Sequence, residues 1–114
     1  MTPLQRAVCI EADIITRAGM LAMQHQKKCV RLRELAARAS CPRLRVRITA
    51  QACAQYELAH EALDIAEAAA RRIGPLTDRL NAEYNALERE TLARLDAERE
   101  PESGSLVHGE ALRR

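Results

Sequence analysis

The positions of proline limit most strongly what this chain can fold into. Its four prolines, Pro3, Pro42, Pro75 and Pro101, leave three stretches of 38, 32 and 25 residues that contain no proline. Proline lacks a backbone N–H and clashes with the preceding turn, so it is rare inside helices and favoured in their first turn. The sequence therefore predicts an all-α protein whose long helices begin near the first three prolines.

The first segment, 3–39, has the apolar spacing of an amphipathic helix, with alternating steps of three and four residues. This stripe consists of Leu4, Val8, Ile15, Ala18, Ala22, Cys29, Leu32, Ala36 and Ala39, with Glu11 and His25 at its two other positions. Ile14, Leu21 and Leu35 widen the stripe. Gly19 lies inside the segment and costs about 1 kcal/mol relative to alanine, which need not end the helix.

Two further segments, 43–73 and 76–99, also show helical spacing. In the second segment the stripe consists of Ile48, Ala52, Tyr56, Ala59, Leu63, Ala66, Ala70 and Ile73. In the third it consists of Leu76, Leu80, Tyr84, Leu87, Thr91 and Leu95. Gly74 and Pro75 have the order of a helix end, with glycine at a left-handed cap and proline beyond it. Residues 43–48 alternate polar and apolar; we favour a helix there, with an extended linker as the alternative.

These segments predict one domain, 1–100, followed by a flexible tail, 101–114. The expected architecture is a coiled-coil-like bundle of three long antiparallel helices, because alternating steps of three and four favour shallow crossing angles. The chain has 21 alanines, no Phe and no Trp. Alanine buries little apolar area, and burial stabilises by about 25 cal/mol per Å². A bundle with so modest a core is expected to form a homodimer.

Charge is divided unevenly along the chain. Residues 1–48 carry ten Lys and Arg against three Asp and Glu, whereas residues 49–114 carry eight against thirteen. Eight basic residues between 27 and 47 face only Glu34, and we call them the basic cluster: Lys27, Lys28, Arg31, Arg33, Arg38, Arg43, Arg45 and Arg47. They either complement the acidic later helices of the chain or bind a partner. As a site, the cluster is predicted to contact another protein with an acidic surface.

Folding the chain into a hairpin at Cys41 would place Cys29 opposite Cys53, and His25 opposite Glu57. Within each helix these residues are four apart and share a face. Thiolate and imidazole suit zinc, but a buried cysteine also behaves as a small apolar residue. The sequence leaves open whether these four side chains meet at a metal, and it implies no cofactor.

No catalytic motif is present: the sequence contains no GxSxG, no HExxH and no glycine-rich phosphate loop. It also lacks an apolar run long enough to cross a membrane, and Glu11 and Asp13 come early, where a signal peptide would have an apolar run. We therefore expect a reducing cytoplasmic setting with free thiols. The cysteines form no CxxC pair, which argues against a zinc ribbon or a thioredoxin-type motif. The expected function is a non-enzymatic protein–protein interaction module, such as an adaptor, a chaperone-like protein or an inhibitor. The alternative is a small nucleic-acid-binding regulator that uses the basic cluster.

Overall fold

The computed structural model describes the backbone of residues 1–106 and the side chains of residues 1–99. It contains two helices, α1 (Pro3–Arg38) and α2 (Pro42–Leu106), so the predicted all-α class is confirmed. Neither helix of this described part combines the length and the apolar character that a membrane span requires. Residues 101–106 of the predicted tail belong to α2, and residues 107–114 lie outside the described part.

Helix α1 begins at a capping box. The backbone N–H of Gln5 donates to the Thr2 hydroxyl at 3.1 Å, and the backbone N–H of Thr2 donates to Gln5 Oε1 at 2.9 Å. Pro3 follows as the first helical residue, where a missing N–H costs nothing. Two of the N–H groups that a helix start leaves without partners are thus satisfied.

The connection between the helices is short, residues 39–41. The backbone N–H of Ala39 donates to the Ala36 carbonyl at 3.2 Å and closes α1. Arg45, in the first turn of α2, then reaches back to the Ala39 carbonyl, to which its Nε and Nη2 donate at 3.2 and 2.7 Å. Residues 43–48 are helical, as favoured from the sequence.

The expected helix end at Gly74–Pro75 is absent, and this position is the main difference from the three predicted helices. Helix α2 continues through both residues. Proline removes only one hydrogen bond, that to the carbonyl of Arg71, and its fixed φ suits a helix. Gly74 has no left-handed φ here, so it does not form the predicted cap. Strong helix formers on both sides, including Ala68–Ala70, favour continuation over a break.

The chain divides into two compact units, Met1–Thr77 and a second that begins at Asp78. In the first unit the helices are antiparallel, because a residue earlier in α1 contacts a residue later in α2. His25 Nδ1 lies 2.7 Å from Gln55 Oε1, and Arg72 Nε donates to Glu11 Oε1 at 3.0 Å. The first unit is therefore a helical hairpin. The second unit is the C-terminal part of α2, in which residues 81–99 are all exposed.

The helices of the hairpin meet along a narrow line of small side chains, which we call the seam. In α1 every position of the predicted stripe is buried or half-buried, so that prediction is confirmed. The buried residues of the hairpin are Leu4, Ala18, Ala22, Cys29, Ala36, Ala52, Ala59, Ala62 and Ala69. Seven of these nine are alanines, which let two helices approach closely but remove little apolar area from water.

The predicted stripe of α2 is partly wrong. Ile48, Ala52, Ala59, Ala66 and Ile73 lie in the seam as expected. Between them the seam continues through Gln55, Ala62 and Ala69, whereas Tyr56, Leu63 and Ala70 are exposed. Each error is a shift of one residue. At Leu63 the larger apolar side chain was chosen, whereas its small neighbour Ala62 packs in the seam.

The contact between Arg45 and Ala39 gives a direct prediction. Arg45→Gln should lower the free energy of unfolding by about 1 kcal/mol, because it removes a charged donor from a carbonyl of the turn. Arg43→Gln is the matched control, since Arg43 has the same charge and exposure but forms no such bond in the described part of the chain. Equal urea midpoints for the two variants would show that the contact does not hold the turn.

Candidate functional site

One side of the hairpin carries a row of large aliphatic side chains that the seam leaves uncovered. We call this set the apolar face: Ile14, Leu21 and Leu35 of α1 with Leu44, Leu58 and Ile65 of α2. Ile14 and Leu35 are half-buried and the other four are exposed, with Ile65 at 53%. These residues recur at multiples of seven within each helix, which is close to two full turns, so each row stays on one side.

The two rows lie on the same side of the hairpin because the helices are antiparallel. Leu21 and Leu58 each come one residue before a seam residue, and in an antiparallel pair such positions share a side. The contacts agree with this geometry. Arg33 and Tyr56 each come one residue after a seam residue, and the Arg33 guanidinium lies 5.8 Å from the Tyr56 ring centroid on the opposite side.

The opposite side is less apolar. It is formed by the residues that follow a seam residue by one in sequence. In α1 these are Ala12, Gly19, Gln26 and Arg33, and in α2 they are Thr49, Tyr56, Leu63 and Ala70. Tyr56 is further occupied by His60, whose ring packs edge-on at a centroid distance of 4.5 Å. The apolar face therefore carries more large aliphatic side chains than the opposite side, although Lys28 and Gln51 lie within its two rows. The sequence stripes did not identify it as a site.

All eight residues of the basic cluster are exposed. Lys27, Lys28, Arg31, Arg33 and Arg38 lie on the last three turns of α1, and Arg43, Arg45 and Arg47 lie on the first two turns of α2. The short connection at 39–41 brings both groups to the same end of the hairpin. The structure thus gathers the predicted site residues at one end, around the turn.

Few of these cations have partners of opposite charge. Within the described residues, the cluster forms a single salt bridge, between Arg31 Nη1 and Glu34 Oε1 at 3.6 Å. Two members have structural contacts instead, Arg45 with the Ala39 carbonyl and Arg33 with the Tyr56 ring. The acidic residues of α2 do not neutralise the cluster inside the hairpin, which leaves its charge available to a partner.

The four potential metal ligands do not converge. Cys29 is buried in the seam, while Cys53 and Glu57 are exposed, and His25 bonds to Gln55. His25 meets Gln55 and not Glu57, which the hairpin expected from the sequence would have placed opposite it. In the part of the chain that the structure describes, no three His, Cys, Asp or Glu side chains lie close enough to hold a metal ion. The four described cysteines are free thiols.

One ion pair joins the two helices at the open end of the hairpin. Arg72 Nη2 lies 3.0 Å from Glu11 Oε1, and the Glu11 side chain is 17% exposed. The hydrogen bond to Glu11 raises the pKa of Arg72 above its ordinary value, so this arginine stays charged. Glu11 was predicted as a polar member of the α1 stripe, and this bond accounts for a carboxylate in the seam.

Side-chain chemistry thus gives an apolar face and a basic end, both suited to macromolecular contacts. No family model, curated protein or solved structure matches this chain.

Proposed function

We propose that this chain is a non-enzymatic, helical protein–protein interaction module that acts as a homo-oligomer in the cytoplasm. The role would be that of an adaptor, a chaperone-like protein or an inhibitor. The observation that carries the proposal is the apolar face: six large aliphatic side chains on one side of a hairpin whose own seam is mostly alanine. Monomeric proteins rarely expose continuous apolar patches of more than a few hundred Å².

The partner that we propose has an acidic surface and contacts the basic cluster. Supporting this are the exposure of all eight cations and their position at one end of the hairpin. Exposed charges at the rim of an interface act mainly on the rate of association and on partner choice. The interaction would therefore weaken as salt rises, because charges separated by more than about 8 Å are largely screened at physiological ionic strength.

The alternative is a small nucleic-acid-binding regulator. It is supported by the same cluster, since cations around a helix–helix turn can contact phosphates. Against it stand the low net charge of +2 and the scarcity of aromatic side chains on which bases could stack, with two tyrosines in the whole sequence. We therefore rank protein binding first.

A double variant, Arg43→Gln with Arg47→Gln, tests the site without disturbing the Arg45 contact that holds the turn. We expect its free energy of unfolding to lie within about 0.5 kcal/mol of the wild-type value, as is usual for substitutions at exposed positions. Proteins captured by affinity from the native host should be lost with this variant and at high salt. Arg79→Gln with Arg89→Gln, in the second unit, is the control with the same charge change.

The nucleic-acid alternative is tested with labelled duplex and single-stranded probes. We expect no binding at micromolar concentrations and physiological salt. Binding in that range, with a steep dependence on salt, would reverse our ranking. Unchanged capture of protein partners by the Arg43 and Arg47 double variant would contradict the proposed site.

A further inference from the structure

We propose that a second copy of this chain covers the apolar face, with the turns of the two hairpins at opposite ends of the dimer. This inference rests on the self-association in the proposed function and names the surface and the orientation. The two hairpins would form four helices, in which α1 lies on α1 and α2 on α2, each pair antiparallel. A twofold axis perpendicular to the helices relates the copies, so every contact occurs twice.

The size of the face is sufficient for a stable contact. Along α1 it extends from Ile14 to Leu35, which is about 31 Å at the helical rise of 1.5 Å per residue. Two helices side by side are about 20 Å wide, so each copy offers about 600 Å² and the dimer about 1,200 Å². That total lies at the lower end of specific interfaces, which begin near 1,200 Å².

The outer residues of the two rows match each other when one copy is reversed. Antiparallel helices bring together residues at equal distances from the twofold axis. On α1 this places Ile14 against Leu35 of the second copy, and on α2 it places Leu44 against Ile65 of the second copy. Near the axis, Leu21 lies opposite Lys28 of the second copy and Leu58 opposite Gln51. The long apolar stem of a lysine can cover a leucine while its ammonium group reaches water.

Charge decides between the two possible orientations. With both turns at the same end, two basic clusters would lie side by side, each with eight cations and only Glu34 among them. With the turns at opposite ends, the basic start of α2 lies beside the acidic part of α2 in the second copy. The basic residues there are Arg43, Arg45 and Arg47, and the acidic ones are Glu57, Glu61, Asp64 and Glu67.

One pair at the rim makes this orientation testable. Arg47 and Glu61 lie on α2 at the outer edge of the apolar face. Arg47 comes four residues before Gln51, and Glu61 comes four residues before Ile65. Both are exposed. The pairing of Leu44 with Ile65 also places Arg47 beside Glu61 of the second copy. With both turns at one end, Arg47 would instead lie beside Arg31 of the second copy, a contact between like charges.

The first experiment measures dimer dissociation by sedimentation equilibrium for the full chain. Leu58→Asp and Ile65→Asp should each raise the dissociation constant by about 100-fold or more, because each places a carboxylate opposite an uncharged side chain of the second copy, Gln51 or Leu44, inside the interface. Met20→Asp is the control, since Met20 is exposed on the side of α1 away from the seam. Circular dichroism checks that all three variants keep their helices.

The second experiment is a charge exchange. Arg47→Glu or Glu61→Arg alone should weaken the dimer about threefold to tenfold, and the chain with both changes should recover wild-type association. If the turns lay at the same end, Arg47→Glu would strengthen the dimer, and that result would overturn the orientation. A spin label on Cys41, with Cys9, Cys29 and Cys53 replaced, should give a distance of about 45 Å between copies.

The outcomes separate this inference from the proposed function. A wild-type dimer that resists Leu58→Asp and Ile65→Asp would overturn the assigned face and leave self-association intact. A wild-type monomer at all accessible concentrations would overturn both. A label distance below about 25 Å, which corresponds to fewer than 17 residues of helical rise, would overturn the opposite placement of the turns.

Discussion

Ala62→Asp should unfold the hairpin, whereas Leu63→Asp should leave it folded. Ala62 is 3% exposed and lies in the seam, while its neighbour Leu63 is 47% exposed. A carboxylate at position 62 would be buried without a partner, which costs about 3 kcal/mol or more. The same side chain at position 63 remains in water, and we expect a change of about 0.5 kcal/mol.

Thermal melts of the two variants, followed by circular dichroism at 222 nm, check this pair of expectations. The comparison is well matched because the introduced group is the same and the sites are adjacent on one helix. Equal melting temperatures, or a larger loss for Leu63→Asp, would show that the seam follows the larger side chains of α2 after all.

Pro75→Ala should stabilise the protein by about 2–3 kcal/mol, because it restores a hydrogen bond inside a continuous helix and removes a clash with the preceding turn. Gly74→Ala should add about 1 kcal/mol, since glycine is a poor helix former. A Cβ at Gly74 would meet no atom within 4 Å, so the added methyl group finds open space.

Gly19→Ala is the control for Gly74→Ala, as Gly19 also lies inside a helix with no atom within 4 Å of an added Cβ. Urea denaturation should give a similar gain for both alanine variants. If Gly74 instead closed a helix in a left-handed conformation, Gly74→Ala would lower stability while Gly19→Ala raised it. That divergence would favour three helices over two.

Sequence spacing was enough to place the seam of α1. Its stripe includes two unfavourable members, Glu11 and His25, yet both positions are half-buried and both side chains find partners on α2. Those partners, Arg72 and Gln55, follow from the register of the hairpin. A sequence does not give that register directly, because alanines recur at every turn or two of both stripes, and sliding one helix by about a turn again places small side chains against each other.

Spacing alone was less informative in α2. Tyr56 and Leu63 stand next to Gln55 and Ala62, so the apolar pattern admits two phases one residue apart. If the largest side chains were buried, Tyr56 and Leu63 would face α1. Because the two alanine-rich helices approach closely, Gln55 and Ala62 face α1 instead. The apolar face was missed because its α1 residues, Ile14, Leu21 and Leu35, were taken as a widening of the stripe, and its α2 residues lie outside the predicted stripe. The capping box of Thr2 and Gln5, by contrast, was readable as a Thr-x-x-Gln pattern.

The basic cluster was found from sequence counts alone, and the structure adds which members have structural tasks. Arg45 holds the turn and Arg33 contacts Tyr56. Neither contact could be foreseen, because each depends on where the chain reverses. A variant that removes all eight charges would therefore mix effects on folding and on binding, whereas Arg43 and Arg47 offer a cleaner probe.

The alanine seam has a consequence for how this sequence can vary over time. Positions such as Ala52 and Ala69, at 1% and 0% exposure, have no room for a larger side chain, and an added methylene group would push the helices apart. The exposed leucines and isoleucines have no such steric limit. Substitutions tolerated among related chains would then be confined to Gly, Ala, Ser and Cys at these buried alanine positions, while the outer aliphatic positions would diverge with whatever they contact.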